Sequence, residues 1–177
     1  MFLLTPPVSN RDHCQGAPLD SKVTLVKYGD YQCFECGKIH SVVKTLQQQY
    51  LNQLCFVFRH FPQRDIHPHA QHAAEAALSA AKQGKFWQMH DCLFQNQGAL
   101  GNGYLVEYAV MLDLEVNQFL QDIAHDVHVE RIQQDVDSGI KSGVNTTPTF
   151  FINGVRYDGE CEGAALSAEI TKQIKQL

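Results

Sequence analysis

The chain has little of what marks membrane, fibrous or nucleic-acid-binding proteins. No stretch approaches the roughly 18 consecutive apolar residues of a membrane span, so no contact with a membrane is expected. Basic residues are in the minority, 14 Lys and Arg against 19 Asp and Glu, for a formal charge of −5. A broad nucleic-acid-binding surface needs the opposite balance, and no nucleic-acid partner is expected. Glycine and proline are too sparse, at 12 and 6 in 177 residues, for a collagen-like or linker-like chain. There is no internal repeat, and the glutamines form nothing longer than the run Gln47-Gln48-Gln49. The segment Met1-Phe2-Leu3-Leu4 lacks the basic and long apolar parts of a secretory signal. With Met1 taken as the start, the expectation is a soluble, cytoplasmic protein.

What is present is an ordinary globular composition, 44% hydrophobic and 19% charged, in a chain long enough to bury a core without disulfide staples. The six cysteines therefore need another explanation. Cys55 lies in the apolar run Leu54-Cys55-Phe56-Val57-Phe58, and Cys92 lies in a helical pattern. Both read as small buried hydrophobes. Cys14 and Cys161 belong to no motif, and either could join a secondary thiol pair. Cys33 and Cys36 are different.

A loop-like leader over residues 1–21 precedes Val23 to Tyr28, which is rich in β-branched and aromatic residues and reads as a strand. From about Phe34 to Tyr50 the spacing of Ile39, Val42, Val43 and Leu46 is helical. Cys55 to Arg59 is a second buried strand, so the first third predicts a right-handed parallel βαβ unit. Residues 66–142 carry five helical patterns with no strand among them. The β signal returns at Thr149-Phe150-Phe151-Ile152 and Val155-Arg156-Tyr157, joined by Asn153-Gly154, the dipeptide of a type I′ hairpin turn. A last helix runs from about Gly163.

Cys33-Phe34-Glu35-Cys36 falls where the first strand hands over to the first helix. A cysteine at a helix N-terminus meets unpaired backbone N–H groups and the positive end of the helix dipole, which favour its thiolate. A second cysteine three residues on lies on the same side and can resolve a mixed disulfide. The competing reading is half of a zinc site. No second C-x-x-C occurs and the histidines lack finger spacing, so no metal is expected. Thr146-Thr147-Pro148-Thr149 precedes the hairpin, where proline is tolerated and an X–Pro bond is a candidate for the cis form.

With these motifs in place, the chain resembles the DsbA-like branch of the thioredoxin superfamily. The resemblance is carried by Gly29-Asp30-Tyr31-Gln32-Cys33 through Gly37, by Arg11-Asp12-His13, by Phe58-Arg59-His60-Phe61-Pro62 and by Ile66-His67-Pro68-His69-Ala70. It continues in Gly84-Lys85-Phe86-Trp87-Gln88-Met89-His90-Asp91, in Ser138-Gly139-Ile140 and in Gly143 to Gly159. It implies an α/β thioredoxin fold (βαβ–ββα) with an all-helical insertion between the two halves. Residues 1–62 and 143–177 would form the thioredoxin-like domain and residues 63–142 the insertion.

The resemblance further implies that Cys33 attacks, that Cys36 resolves, and that Thr147–Pro148 is a cis-proline loop whose Thr147 backbone meets substrate. Relatives commonly carry proline and then an aromatic residue or histidine between the cysteines. Here Phe34 and Glu35 stand there as tuning residues. Glu35 is expected to oppose a Cys33 thiolate at short range and to make the couple more reducing. The cluster His67, His69 and His72 reads as the structural start of a helix, and His40 as packing. The expected activity is thiol–disulfide exchange without a cofactor, as a reductase or isomerase acting on a disulfide-containing protein or a glutathione-type thiol. The alternatives are a glutathione-dependent transferase or isomerase of a related fold, and a non-catalytic redox-sensing or chaperone module.

Overall fold

A computed structural model describes residues 2–161 and 163–175. Strands β1 (His13–Gly16), β2 (Val23–Gly29), β3 (Leu54–His60), β4 (Thr149–Ile152) and β5 (Val155–Tyr157) form one sheet in the order β1-β3-β2-β4-β5. Helix α1 (Phe34–Gln49) is the crossover between β2 and β3, which run parallel from Val23 opposite Leu54 to Gly29 opposite His60. The other pairings are antiparallel. The two parallel strands are covered on both faces, which is why they read as continuous apolar runs rather than alternating ones. Between β3 and β4 lie α2 (Ala70–Lys82), α3 (Phe86–Gln95), α4 (Asn102–Met111), α5 (Val116–Ala124) and α6 (Val129–Lys141); α7 (Gly163–Lys175) closes the chain. This is the α/β thioredoxin architecture with helices between its halves. The hairpin turn has the expected hand, with φ of 48° at Asn153 and 79° at Gly154.

The leader is not all loop. His13–Gly16 adds to the free edge of β3, with His13 opposite Phe58 and Gly16 opposite Cys55. Four residues of mixed polarity carry no strand signal of their own; the pairing is supplied by the edge they meet.

On one face, Leu25, Phe56, Phe58, Phe150 and Ile152 pack against Ile39, Val43 and Leu46 of α1, Leu166 and Ile170 of α7, and Met89 and Leu93 of α3. The alanines of α2 lie buried in the same cluster and allow close helix approach. On the other face, Val26, Tyr28, Val57 and Phe151 are covered by Leu4 and Val8 of the leader, and by Val136 of α6 and Val144 just beyond it.

Arg59 lies within this second face, 3% exposed. Its Nε and Nη2 donate to the two oxygens of Asp12 at 2.8 and 3.1 Å. Nη1 donates to the carbonyl of Pro6 and the hydroxyl of Tyr28, both at 3.0 Å, and Nη2 also to the carbonyl of Pro7 at 3.3 Å. All five guanidinium N–H groups are thus used, which is the condition for burying the group. Asp12→Ala should cost about 3–5 kcal/mol, because it leaves a buried cation uncompensated. Urea unfolding of Asp12→Ala beside Asp12→Leu/Arg59→Met checks this; the double variant should recover most of the loss, and equal losses would show that the ion pair is not the cause.

Candidate active site

β2 ends at Gly29, and a tight turn through Asp30, Tyr31 and Gln32 leads to Cys33, the N-cap of α1. Asp30 is 1% exposed. Its carboxylate accepts from Gln32 N at 2.7 Å and Gln63 N at 2.8 Å, and lies 2.7 Å from His67 Nδ1. It ties the turn to the segment that follows β3. The other clamp is Gln97, whose Nε2 donates to the carbonyls of Tyr31 and Cys33, both at 2.8 Å. Gly37 makes room for that amide, since a Cβ there would collide with Gln97 Oε1.

The two thiols are free, and their surroundings differ. Cys33 Sγ accepts from the backbone N–H of Cys36 at 3.4 Å and lies 3.4 Å from the carbonyl of Thr147. The Cys36 thiol bonded to this sulfur is the main cause that lowers Cys33 to about 5. Burial and Asp30 oppose the shift, while Thr147 and the Cys36 N–H add to it. Cys36 has no exposure, and burial first, then its bond to Cys33, pushes its thiol far up. Lys27, and after it the Asp30 backbone, moderate this. Lys27 is fully buried, its Nζ donates to the carbonyl of Cys36 at 3.0 Å, and it lies 4.4 Å from the centre of the Phe94 ring. Burial lowers its ammonium to about 8 against the pull of Cys36, Cys33 and Cys161.

The Thr147–Pro148 peptide is cis, and Thr147 Oγ1 donates to Gln63 Oε1 at 3.0 Å. Cys33, Cys36, Thr147 and Pro148 are therefore gathered at one point from opposite ends of the chain. Phe34 is 67% exposed, with Lys38 Nζ 4.6 Å from its ring centre. Glu35 departs from expectation: its carboxylate turns outward to Lys38 at 2.9 Å and is not among the groups that shift Cys33. The carboxylate that opposes the thiolate is Asp30. Position three of a four-residue motif at a helix start points away from the N-cap side chain, and an exposed pair is screened by water.

His67, His69 and His72 do not converge. His67 meets Asp30, His72 meets Asn102 at 2.8 Å, and the backbone N–H of His69 donates to Gln32. His40 stacks on Phe94 with centroids 4.9 Å apart, as a packing residue would, and also lies 3.3 Å from Asp91. With His90 they form a close trio, but Lys44 donates to Asp91 at 2.8 Å and already supplies the local cation.

Lys27, Asp30, Gln63 and Gln97 were not singled out from the sequence as site residues. For Lys27 a signal existed, a lysine within the run Val23-Thr24-Leu25-Val26-Lys27-Tyr28, on the same side as Leu25. For Gln63 and Gln97 there was none.

Residues 9–173 match the family described as Thioredoxin. The chain belongs to the thioredoxin family. Its fold is that of oxidised BdbD from Bacillus subtilis, with a TM-score of 0.87 at 20% identity over 98% of both chains. Alpha-DsbA1 from Wolbachia pipientis superposes with a TM-score of 0.83 at 22% identity, over 98% of this chain and 95% of that one. Among curated relatives, Na(+)/H(+) antiporter NhaA 1 of Salinispora arenicola is 44% identical over 169 residues, 96% of this chain but 26% of the antiporter. The chain thus spans about a quarter of the length of the curated relatives it matches. No helix among the described residues is long and apolar enough to cross a membrane.

Two outcomes follow from this geometry. Cys33 titrates at about 5 in the folded protein against 9.0 for an unperturbed thiol, and a depressed acid adds stability that is lost as pH falls through the folded value. Unfolding of the dithiol form, measured against the disulfide form, should gain stability as pH rises from about 5 towards 9, and alkylation at about pH 6 should label Cys33 first. A labelling midpoint near 9 would contradict the assignment. Gln97→Ala should cost about 1–3 kcal/mol for its two lost bonds. Gly37→Ala should cost less in that background than alone, as a double-mutant cycle would read; strict additivity would mean the two residues are not coupled.

Proposed function

We propose that the chain is a thiol–disulfide oxidoreductase working through Cys33 and Cys36 as a reductase or isomerase of disulfide-containing proteins, recharged by a dithiol or a glutathione-type thiol. The observation that carries this is the asymmetry of the two sulfurs at the start of α1, Cys33 held down to about 5 and Cys36 buried and pushed up. In this reading the Cys33 thiolate attacks one sulfur of a substrate disulfide, forms a mixed disulfide and expels the other sulfur as a thiolate. Cys36 then loses its proton and attacks Cys33 Sγ. The Cys33–Cys36 disulfide forms and the substrate leaves carrying two more electrons. Lys27 favours that second step, because a buried ammonium beside Cys36 stabilises its thiolate. Thr147 and Pro148 present the chain edge against which an extended substrate segment pairs, and exposed Phe34 offers it apolar contact. Glu35, turned to Lys38, tunes little. The helical stretch 63–142 serves as the insertion that supplies Gln63 and Gln97, and the setting is reducing, hence cytoplasmic.

Insulin-disulfide reduction tests the reading. Cys33→Ala should abolish turnover, and Cys36→Ala should accumulate a mixed disulfide on Cys33. Turnover that survives Cys33→Ala would overturn it, and glutathione conjugation surviving Cys36→Ala would favour the transferase. The reduction potential gives direction: near about −270 mV for a reductase, near about −120 mV for an oxidant.

A further inference from the structure

A second pair of cysteines lies at the other side of the sheet. Cys14 on β1 is opposite Val57 and Cys55 on β3 is opposite Gly16, so the two are diagonal neighbours on one face of an antiparallel pair. Diagonal partners usually meet only through long side chains. Here two of the shortest reach each other, with the Cys55 thiol donating to Cys14 Sγ at 3.1 Å. The sequence leaves Cys14 open to a secondary thiol pair without naming its partner, and Cys55 reads there as a buried hydrophobe.

The pair has an outer and an inner member. β1 is an edge strand, and Cys14 is half-buried there, while Cys55 has no exposure. Their protonation is skewed in the same sense. The bond from Cys55 lowers Cys14, against burial and Asp12, and the same bond raises Cys55. Asp12, the charged group facing both, is already neutralised by Arg59. The pair packs on the leader face of the sheet, whereas Cys33 and Cys36 belong to the cluster on the α1 face.

We propose that Cys14 and Cys55 form a second dithiol–disulfide couple, independent of Cys33 and Cys36 and oxidised by exchange with small disulfides of the glutathione type. The Cys14 thiolate attacks the small disulfide, giving a Cys14 mixed disulfide and one released thiolate. Cys55 gives up its proton and attacks Cys14 Sγ, releasing the second thiolate. Two protein thiols are oxidised and one small disulfide is reduced to two thiols. The product is a covalent tie from the leader strand to the central sheet. The indole of Trp87, the single tryptophan, donates from the α1-face cluster to the backbone carbonyl of Cys14 at 3.1 Å.

The test uses the full chain with Cys33→Ser/Cys36→Ser, so that neither the first couple nor the proposed function contributes. The reduced protein is incubated with oxidised glutathione, alkylated under denaturing conditions and digested. The expected result is a peptide cross-linked through Cys14 and Cys55, loss of two titratable thiols and a higher urea midpoint, all reversed by dithiothreitol. Full alkylation of both cysteines would overturn the proposal, as would glutathione retained on Cys14 without a cross-link. Cys55→Ala in the same background should stop at that glutathione adduct, and the same yield of cross-linked Cys14 with another cysteine there would also overturn it.

Discussion

The chemistry of this chain depends on the hydrogen bonds that the Cys33 sulfur accepts at the first turn of α1. Taking Cys33 from 9.0 to about 5 corresponds to a preference for thiolate on the order of 5 kcal/mol. That is comparable to the whole stability of a small domain, about 5–15 kcal/mol, so the geometry that brings Cys36 to Cys33 must be held firmly. The N-cap must stay in place although its own carbonyl, its N–H and its flanking turn all need partners. Gln97 holds the carbonyl from the helical segment, Asp30 fixes the turn, and the Thr147 loop closes the far side. Asp30 is in turn fastened by the backbone N–H groups of Gln32 and Gln63, and Thr147 by the side chain of Gln63.

The sheet carries two buried cations, and it accommodates them by different means. Arg59 is matched on every N–H and by a carboxylate, so it stays charged and acts as a fastener between the leader and β3. Lys27 faces a carbonyl and an aromatic ring, with Cys36, Cys33 and Cys161 as its charge partners. Its ammonium is correspondingly weakened, and its charge is most favourable when a cysteine beside it has lost a proton. The first arrangement serves stability. The second links a buried charge to the redox state next to it.

Most of the fold could be read from the chain because its signals are local. The βαβ start, five helical stripes and the Asn153-Gly154 hairpin each follow from spacing or turn chemistry. β1 could not, because four residues at an edge take their conformation from β3. The cysteines at positions 33 and 36 were legible for the same local reason, a pair placed at a strand-to-helix junction. Glu35 was misjudged because proximity in sequence does not fix direction in space: its carboxylate leaves the first turn toward Lys38. Gln63 and Gln97 were invisible, since an amide bonded to a carbonyl across 64 residues leaves no trace in periodicity. The contact between Cys14 and Cys55 was hidden with β1 itself.

Gln97 has one more consequence, in the order of events as the chain folds. Two of the contacts around Cys33 span long stretches: Gln97 to the Cys33 carbonyl closes 64 residues, and Cys33 Sγ to Thr147 closes 114. Long loops close late, after local helices and turns have formed. A chain that has made only β2, α1 and β3 already has the Cys36 thiol and N–H at Cys33, the main cause of its lowered thiol, but lacks the Thr147 carbonyl and the Gln97 clamp. Docking of the helical segment and arrival of the hairpin then fasten the N-cap and close the far side of the thiol, so the site is completed by the last contacts to form rather than created by them.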